Sequence, residues 1–341
     1  MVAVPAPGGQ HSAATTQTAR ALFQRRAAWR WEEVVFWVLA AASYFIFPGH
    51  LVLITQAMIT GLFVVSLDLM FGYAGIPSFG HAAFFGIGAY TAGILARDWW
   101  GDPLIGLVAG ALVAGVAGAI CSQIVARLNG IAMLMVTLGI GLICYEIANK
   151  WNTLTGGDDG LQGMQITPLL GLFTFDIDGK VGFIYSFVVI FILYLMARRL
   201  VNSPFGLALK GIRENVRRMP ALGIGVRAQL ALAFTISAAM AGVAGALLAE
   251  TTQYIALEVL GFDRSITVQI ALVMGGMGSL IGGMIGAIAY TVLRDQLSLW
   301  SPAYWDFFVG LILCVIVMTG TGGITGILRR IVDRLLGRTS Q

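Results

Sequence analysis

The sequence predicts an all-α, polytopic transmembrane helical bundle of about nine or ten spans with a glycine-broken element at 265–293, and three observations lead there. Apolar residues make up 58% of the 341, charged residues only 11%, and the mean hydropathy is +0.84, far from a soluble globular domain. Apolar runs close to bilayer-crossing length recur along the chain. The two longest polar connections between them carry opposite charge.

Taken in order, residues 1–30 are rich in Ala, Thr, Gln and Pro and then Arg, with no apolar core that a signal peptidase would recognise. A disordered cytoplasmic tail is expected there. Crossings are predicted at 34–47, 51–71, 79–96, 103–126, 130–148, 181–197, 229–249 and 304–320, besides the broken element. The first is short, is ended by Pro48 and Gly49, and borrows Trp29 to Glu33 at the interface. The membrane domain is expected over 31–328, and a cytoplasmic carboxy-terminal tail over 329–341.

The stretch 150–180 holds Asp158, Asp159, Asp176 and Asp178 against Lys150 and Lys180. The loop 198–228 holds Arg198, Arg199, Lys210, Arg213, Arg217, Arg218 and Arg227 against Glu214 alone. The excess of positive charge places the second in the cytoplasm and the first outside. Counting back from this anchor puts Arg20, Arg25, Arg26 and Arg30 in the cytoplasm. Counting forward puts Arg329, Arg330, Arg334 and Arg338 outside if 265–293 crosses once. That run holds Gly275, Gly276, Gly278, Gly282 and Gly283 near its middle. It therefore reads as two half-length helices that turn back, either re-entrant or as two steep spans. Irregular backbone at membrane depth survives only where protein or a water-filled cavity satisfies its polar groups.

Small residues at four-residue spacing let helix backbones approach closely. They occur at Gly106, Gly110, Ala114 and Gly118, at Ala238, Gly242 and Ala246, and at Gly278, Gly282 and Gly286. Tight packing explains them all, and lining of a translocation path suits best the cluster from 275 to 286. Ionisable residues are expected to be missing from the bilayer centre: Asp68 and His81 read as inner-end residues, Glu146 and Asp306 as outer-end ones. A buried proton relay or an arginine ladder is then absent. Cys121, Cys144 and Cys314 fit no metal or disulfide spacing and read as small apolar residues. There is no phosphate-binding loop, no His-Glu-x-x-His and no nucleophile elbow, so any chemistry belongs to a partner.

In the basic loop, Ser203 is placed to cap a helix with Pro204 at its first position. Phe205, Leu209, Ile212, Val216 and Met219 would share one face of that helix, which stops near Pro220. It is either a helix lying on anionic headgroups or a protein docking element.

The run Phe71 to Ala96, FGYAGIPSFGHAAFFGIGAYTAGILA, resembles the LivM-type permease subunits of branched-chain amino-acid ABC importers. So do SPFGLALKGIRENVRRMPALGIGV at 203–226, ALAFTISAAMAGVAGALLA at 231–249 and VMGGMGSLIGGMIGAI at 273–288, and TGGDDG at 155–160 fits the outer loop. The resemblance implies a multi-pass permease of a prokaryotic inner membrane, not itself an enzyme. Its partners would be a second, LivH-type permease, two cytoplasmic ATPase subunits, an external solute-binding protein and membrane lipids, with no nucleic acid. It implies no cofactor on this chain, with ATP and Mg on the ATPases. By the resemblance the ATPase-coupling residues would be Gly206, Arg213, Glu214, Ala221, Leu222 and Gly223, to which the apolar stripe adds Leu209, Ile212 and Val216. The path or packing residues would be Gly75, Ser78, Gly80, His81, Gly275, Gly276, Gly278 and Gly282. The pair Met219–Pro220 departs from the family pattern. Branched-chain amino acids are the family's default cargo, with urea, amides and aromatic acids as relatives' substrates. A secondary transporter or facilitative channel for a small polar solute is the other class that the residues leave open.

Overall fold

The computed structural model describes residue 29 and residues 31–330 except 129, 170, 172, 177, 178, 303, 319–321 and 327–329. The expected tails at 1–30 and 329–341 lie almost wholly outside the described residues. The architecture is all-helical, with α1 Trp31–Ile46, α2 Leu51–Asp68, α3 His81–Asp98, α4 Pro103–Val125, α5 Ile131–Lys150 and α6 Lys180–Val201. There follow α7 Pro204–Glu214, α8 Val226–Thr252, α9 Phe262–Gly275, α10 Leu280–Trp300 and α11 Trp305–Met318.

Local chemistry sets several of these ends. Glu32 and Glu33 occupy the first turn of α1, where the helix dipole favours negative charge. Asp102 caps α4, its Oδ1 accepting from the Leu104 amide at 2.9 Å, with Pro103 in the first turn. The end of α2 runs on as a single π turn, Leu69–Tyr73. Between α9 and α10 the backbone breaks at 276–279 and the helices bend by 116°. Gly276 and Gly278 take φ of 112° and 79° there, which is why the break needs glycine. The turn-back is as expected, but the halves are unequal: α9 has 14 residues and α10 has 21.

By length and composition, five described segments can each cross a membrane: Pro48–Tyr73, Pro103–Val125, Ile131–Lys150, Lys180–Val201 and Val226–Thr252. Counting the bent pair as one span gives six. The larger number expected from sequence included segments that are short or polar-ended. α1 has 16 residues and α11 has 14, while α3 carries His81, Arg97 and Asp98 at its ends. α3 is sheltered by α4 and α8 rather than by lipid, so it does not need a lipid-like composition.

The core forms around α2, α3 and α8, with Ile59, Phe63, Val64, Phe85 and Ala244 fully buried. α3, α4 and α8 cross at glycines: a Cβ on Gly242 would stand 2.6 Å from the Gly110 carbonyl oxygen, and one on Gly110 would stand 3.0 Å from that of Gly88. Without side chains the three backbones touch, so many weak dispersion contacts replace the hydrophobic drive that lipid does not supply. Ile120, Ile143, Ile192 and Met196 face outward from α4, α5 and α6, as a lipid-facing belt requires.

Arg198 differs from its expected place in the loop. α6 extends to Val201, and Arg198 Nε donates to Glu33 Oε2 at 2.9 Å, with both side chains 11% exposed. This pair, with the Arg198 guanidinium 4.7 Å from the Trp29 ring centre, fastens α1 to α6. The basic connection is therefore 202–225, shorter than 198–228.

Candidate functional site

The predicted residues gather at two levels. The first is a joint on the face that carries the basic loop. Asp68, fully buried at the end of α2, accepts the Gly278 amide on Oδ1 at 2.7 Å. Arg213 of α7 reaches up and donates from Nη1 to the carbonyl of Gly72 in the π turn. Lys210 lies over the Tyr73 ring, 5.1 Å from its centre. Gly75, with φ of 75°, leaves room for the Arg213 stem, because a Cβ there would stand 3.1 Å from Arg213 Cγ. A Cβ on Gly72 would press to 2.7 Å from the Gly278 amide nitrogen. The loop helix, the π turn and the helix break are thus one contact, bridged by one carboxylate and one guanidinium.

α7 itself differs from expectation. It ends at Glu214 rather than near Pro220, because Asn215 is extended and its side-chain oxygen takes the amides of Arg217 and Arg218. Ser203 makes no side-chain cap; its hydroxyl donates to the Leu200 carbonyl instead. Pro220 sits in a short 3-10 turn, Met219–Leu222, closed by Gly223 with φ of 77°. Leu209, Ile212 and Met219 are buried within the chain, so the expected stripe is split. Its inner part packs on this bundle. Val216 and Leu222 remain 46% and 72% exposed, alongside exposed Glu214 and Ala221. Gly206 packs on the end of α6, where a Cβ would stand 2.6 Å from Val201 Cα.

The second level lies deeper. His81 opens α3 beside Ser66 and Ser237: its Nε2 pairs with Ser66 Oγ at 2.9 Å, and Ser237 Oγ donates to the Ser66 carbonyl. Ser237 is the twelfth of the 27 residues of α8, which puts this cluster near that helix's midpoint. The imidazole stacks on Phe63 at 5.4 Å and is buried. The Ser78 carbonyl accepts from Gln269 Nε2 at 2.6 Å, and the Ala82 amide donates to Ser265 Oγ at 3.0 Å. Gly80 lies against α5, where a Cβ would stand 3.2 Å from the Gly141 amide nitrogen. The irregular stretch 76–80 is therefore lined by protein on α5 and α9, the condition under which such backbone persists at depth.

Around the break, Gly275 lies against Gly282 and Gly286, and a Cβ on Gly282 would stand 2.9 Å from the Gly275 carbonyl oxygen. Thr325 Oγ1 donates to that carbonyl at 2.7 Å, tying the end of the chain to the break. Gly282→Leu forces α9 and α10 apart. Overpacking of this kind costs about 1–3 kcal/mol, so detergent-solubilised Gly282→Leu should unfold at lower temperature than the parent, and uptake should fall. An unchanged melting temperature and full uptake would contradict the close approach.

Sequence reasoning missed two ionisable groups, Glu250, which is buried, and Arg264, which is partly buried. Glu250 accepts from Tyr185 Oη at 2.8 Å and is 3% exposed. Arg264 sits one residue before Ser265, level with the start of α3, its guanidinium 5.2 Å from the Phe85 ring centre. Each stands one residue outside a predicted apolar run, so each was assigned to a polar connection. In fact α8 continues to Thr252, and the connection descends into the protein, with Ile255 paired to Leu161 and Leu257 and Leu260 buried.

A bundle of membrane-crossing helices, a broken span and a basic-face helix wedged against the break define the membrane component of a transporter. Residues 50–317 match the family described as branched-chain amino acid transport system / permease component, and the chain belongs to that family. It is a multi-pass membrane permease, a transport component rather than a catalytic one. The high-affinity branched-chain amino acid transport system permease protein LivM of Escherichia coli K12 is 30% identical over 289 residues, covering 77% of this chain and 67% of that protein. A probable branched-chain amino acid transport permease protein LivH of Methanocaldococcus jannaschii is 28% identical over 292 residues, covering 81% and 91%. The autoinducer 2 import system permease protein LsrC of Escherichia coli O157:H7 is 26% identical over 245 residues, 68% of each chain. The chain spans about two thirds of the length of the E. coli and Salmonella LivM proteins. No solved structure matches.

Proposed function

We propose that this chain is a LivM-type permease of an ATP-driven importer, moving branched-chain or related amino acids delivered by an external binding protein. It would work with a LivH-type second permease and two cytoplasmic ATPase subunits that bind ATP and Mg. The observation that carries the reading is the joint: Arg213 of the basic-face helix holds the π turn at Gly72, and Asp68 beside that turn holds the break at Gly278. A push on α7 from an ATPase reaches the broken span α9–α10 through these two contacts. Thr325 packs on the same break, which supports a carboxy-terminal tail on the cytoplasmic face.

The exposed side of this region, with Val216, Leu222 and Glu214, is the surface offered to the ATPase, while Ile212 is internal packing. Docking that buries Val216 or Leu222 gains about 1–3 kcal/mol each. Val216→Ala with Leu222→Ala should therefore lower co-purification of the ATPase and leave the melting temperature unchanged. Ile212→Ala should do the reverse, costing about 2–5 kcal/mol of stability. The reading itself is tested by ATP-dependent leucine uptake into liposomes holding the full complex. Uptake that persists without the ATPase subunits would point to a secondary transporter.

A further inference from the structure

We propose that Glu250 keeps its proton in the folded transporter and, as a neutral carboxylic acid, ties the end of α8 to the starts of α6 and α4. Glu250 is the twenty-fifth of the 27 residues of α8 and is 3% exposed. Its Oε2 stands 2.8 Å from Tyr185 Oη, and the same tyrosine oxygen stands 3.3 Å from the carbonyl oxygen of Pro103, the first residue of α4. A phenol has one hydrogen to give. With an ionised carboxyl, Tyr185 donates to Glu250 and the Pro103 carbonyl is left out. With a proton on Glu250 both contacts close: the carboxyl donates to Tyr185, and Tyr185 donates to Pro103. Two hydrogen bonds in series then join α8, α6 and α4.

The surroundings give an ionised Glu250 no further support. Oε1 is buried without a hydrogen-bond partner, and among the described residues no cation forms an ion pair with the carboxyl. The charge that bears on it, Asp102 before α4, has the same sign. Gly106 of α4 lies against Oε1, where a Cβ would stand 2.7 Å from that oxygen. A bare carboxylate taken out of water is so costly that the group neutralises instead. The proton leaves Oε1 an uncharged carbonyl oxygen, which a glycine backbone can cover at far smaller cost.

The tie fixes the point from which the chain leads into the broken span. α8 ends two residues after Glu250, and 253–261 runs on, with Ile255 bridged to Leu161, to Phe262 at the start of α9. Glu250 is therefore a positioning residue, acting on α9 through the end of α8. Its protonation stands apart from the importer reading, whereas its effect on transport rests on that reading, so the two are measured separately.

The first measurement is the infrared difference between the parent and E250Q, each as the full chain in detergent at neutral pH. The parent should show the carbonyl band of a protonated carboxyl that E250Q lacks. A carboxylate band in its place overturns the proposal. If E250Q does not fold, Y185F replaces it: the acid band should move to higher frequency once its hydrogen-bond partner is gone, and an unmoved band overturns the tie. The second measurement is ATP-dependent leucine uptake by the complete complex in liposomes. The glutamine amide can donate to Tyr185 as the acid does, so E250Q should keep the parent's uptake. E250A breaks the series and should lower uptake about tenfold, the effect of one buried hydrogen bond left unmade. Uptake kept by E250A, or lost by an E250Q complex that assembles, overturns the positioning role. Absence of leucine uptake in the parent removes the amino-acid reading and leaves the acid band to decide the protonation.

Discussion

Replacing Asp68 by alanine should uncouple the transporter: uptake falls severely while the ATPase subunits remain bound and continue to hydrolyse ATP. Asp68 is fully buried, and its Oδ1 is the acceptor for the Gly278 amide inside the break. Removing it leaves a part-buried donor unpaired, at a cost of about 1 kcal/mol. The break then loses its fixed register against the π turn, and Arg213 pulls on a turn no longer tied to α9 and α10. Asp68→Asn should be milder, because the amide oxygen can still accept from Gly278. Loss of the ATPase from the Asp68→Ala complex would place the residue in assembly instead. Uptake equal to that of the parent would remove it from the joint.

The largest effect on stability is expected at the other buried pair. Glu33→Ala takes from Arg198 the carboxylate that it holds at 2.9 Å, where both side chains are 11% exposed. Removing one partner of a buried pair costs about 3–5 kcal/mol. The melting temperature of Glu33→Ala should drop well below the parent's. The double replacement Glu33→Met with Arg198→Met should recover much of the loss, since an apolar pair of similar size fills the same space. A double variant as unstable as the single one would show that the ion pair is not the source.

Much of the fold was legible because lipid imposes a simple rule on composition and length. The runs that became α2, α4, α5, α6 and α8 stood out as apolar stretches. The turn-back at 276–279 was legible in the glycines near the middle of the run 265–293. What was not legible depends on which neighbours shelter a segment. That His81 is buried could not be read from the sequence, because it follows an irregular stretch that α5 and α9 cover. Glu250 and Arg264 looked like loop residues because window boundaries follow hydropathy, whereas helix α8 and the descending segment follow packing. The coupling stripe was read as one face over five residues, but Asn215 ends the helix by capturing two amides, so Val216 leaves the face that Ile212 keeps. A short-range hydrogen bond of that kind outweighs periodicity and is invisible to it.

The central claim is that Arg213 and Asp68 join the basic-face helix to the broken span. The most direct measurement is the ratio of solute taken up to ATP hydrolysed, in liposomes holding the complete complex, for the parent, Arg213→Gln and Asp68→Ala. The joint predicts that hydrolysis continues in both variants while the ratio collapses, and that the double variant is no worse than either alone, because one connection is already broken. A ratio equal to the parent's in both single variants, with the complex intact, would contradict it.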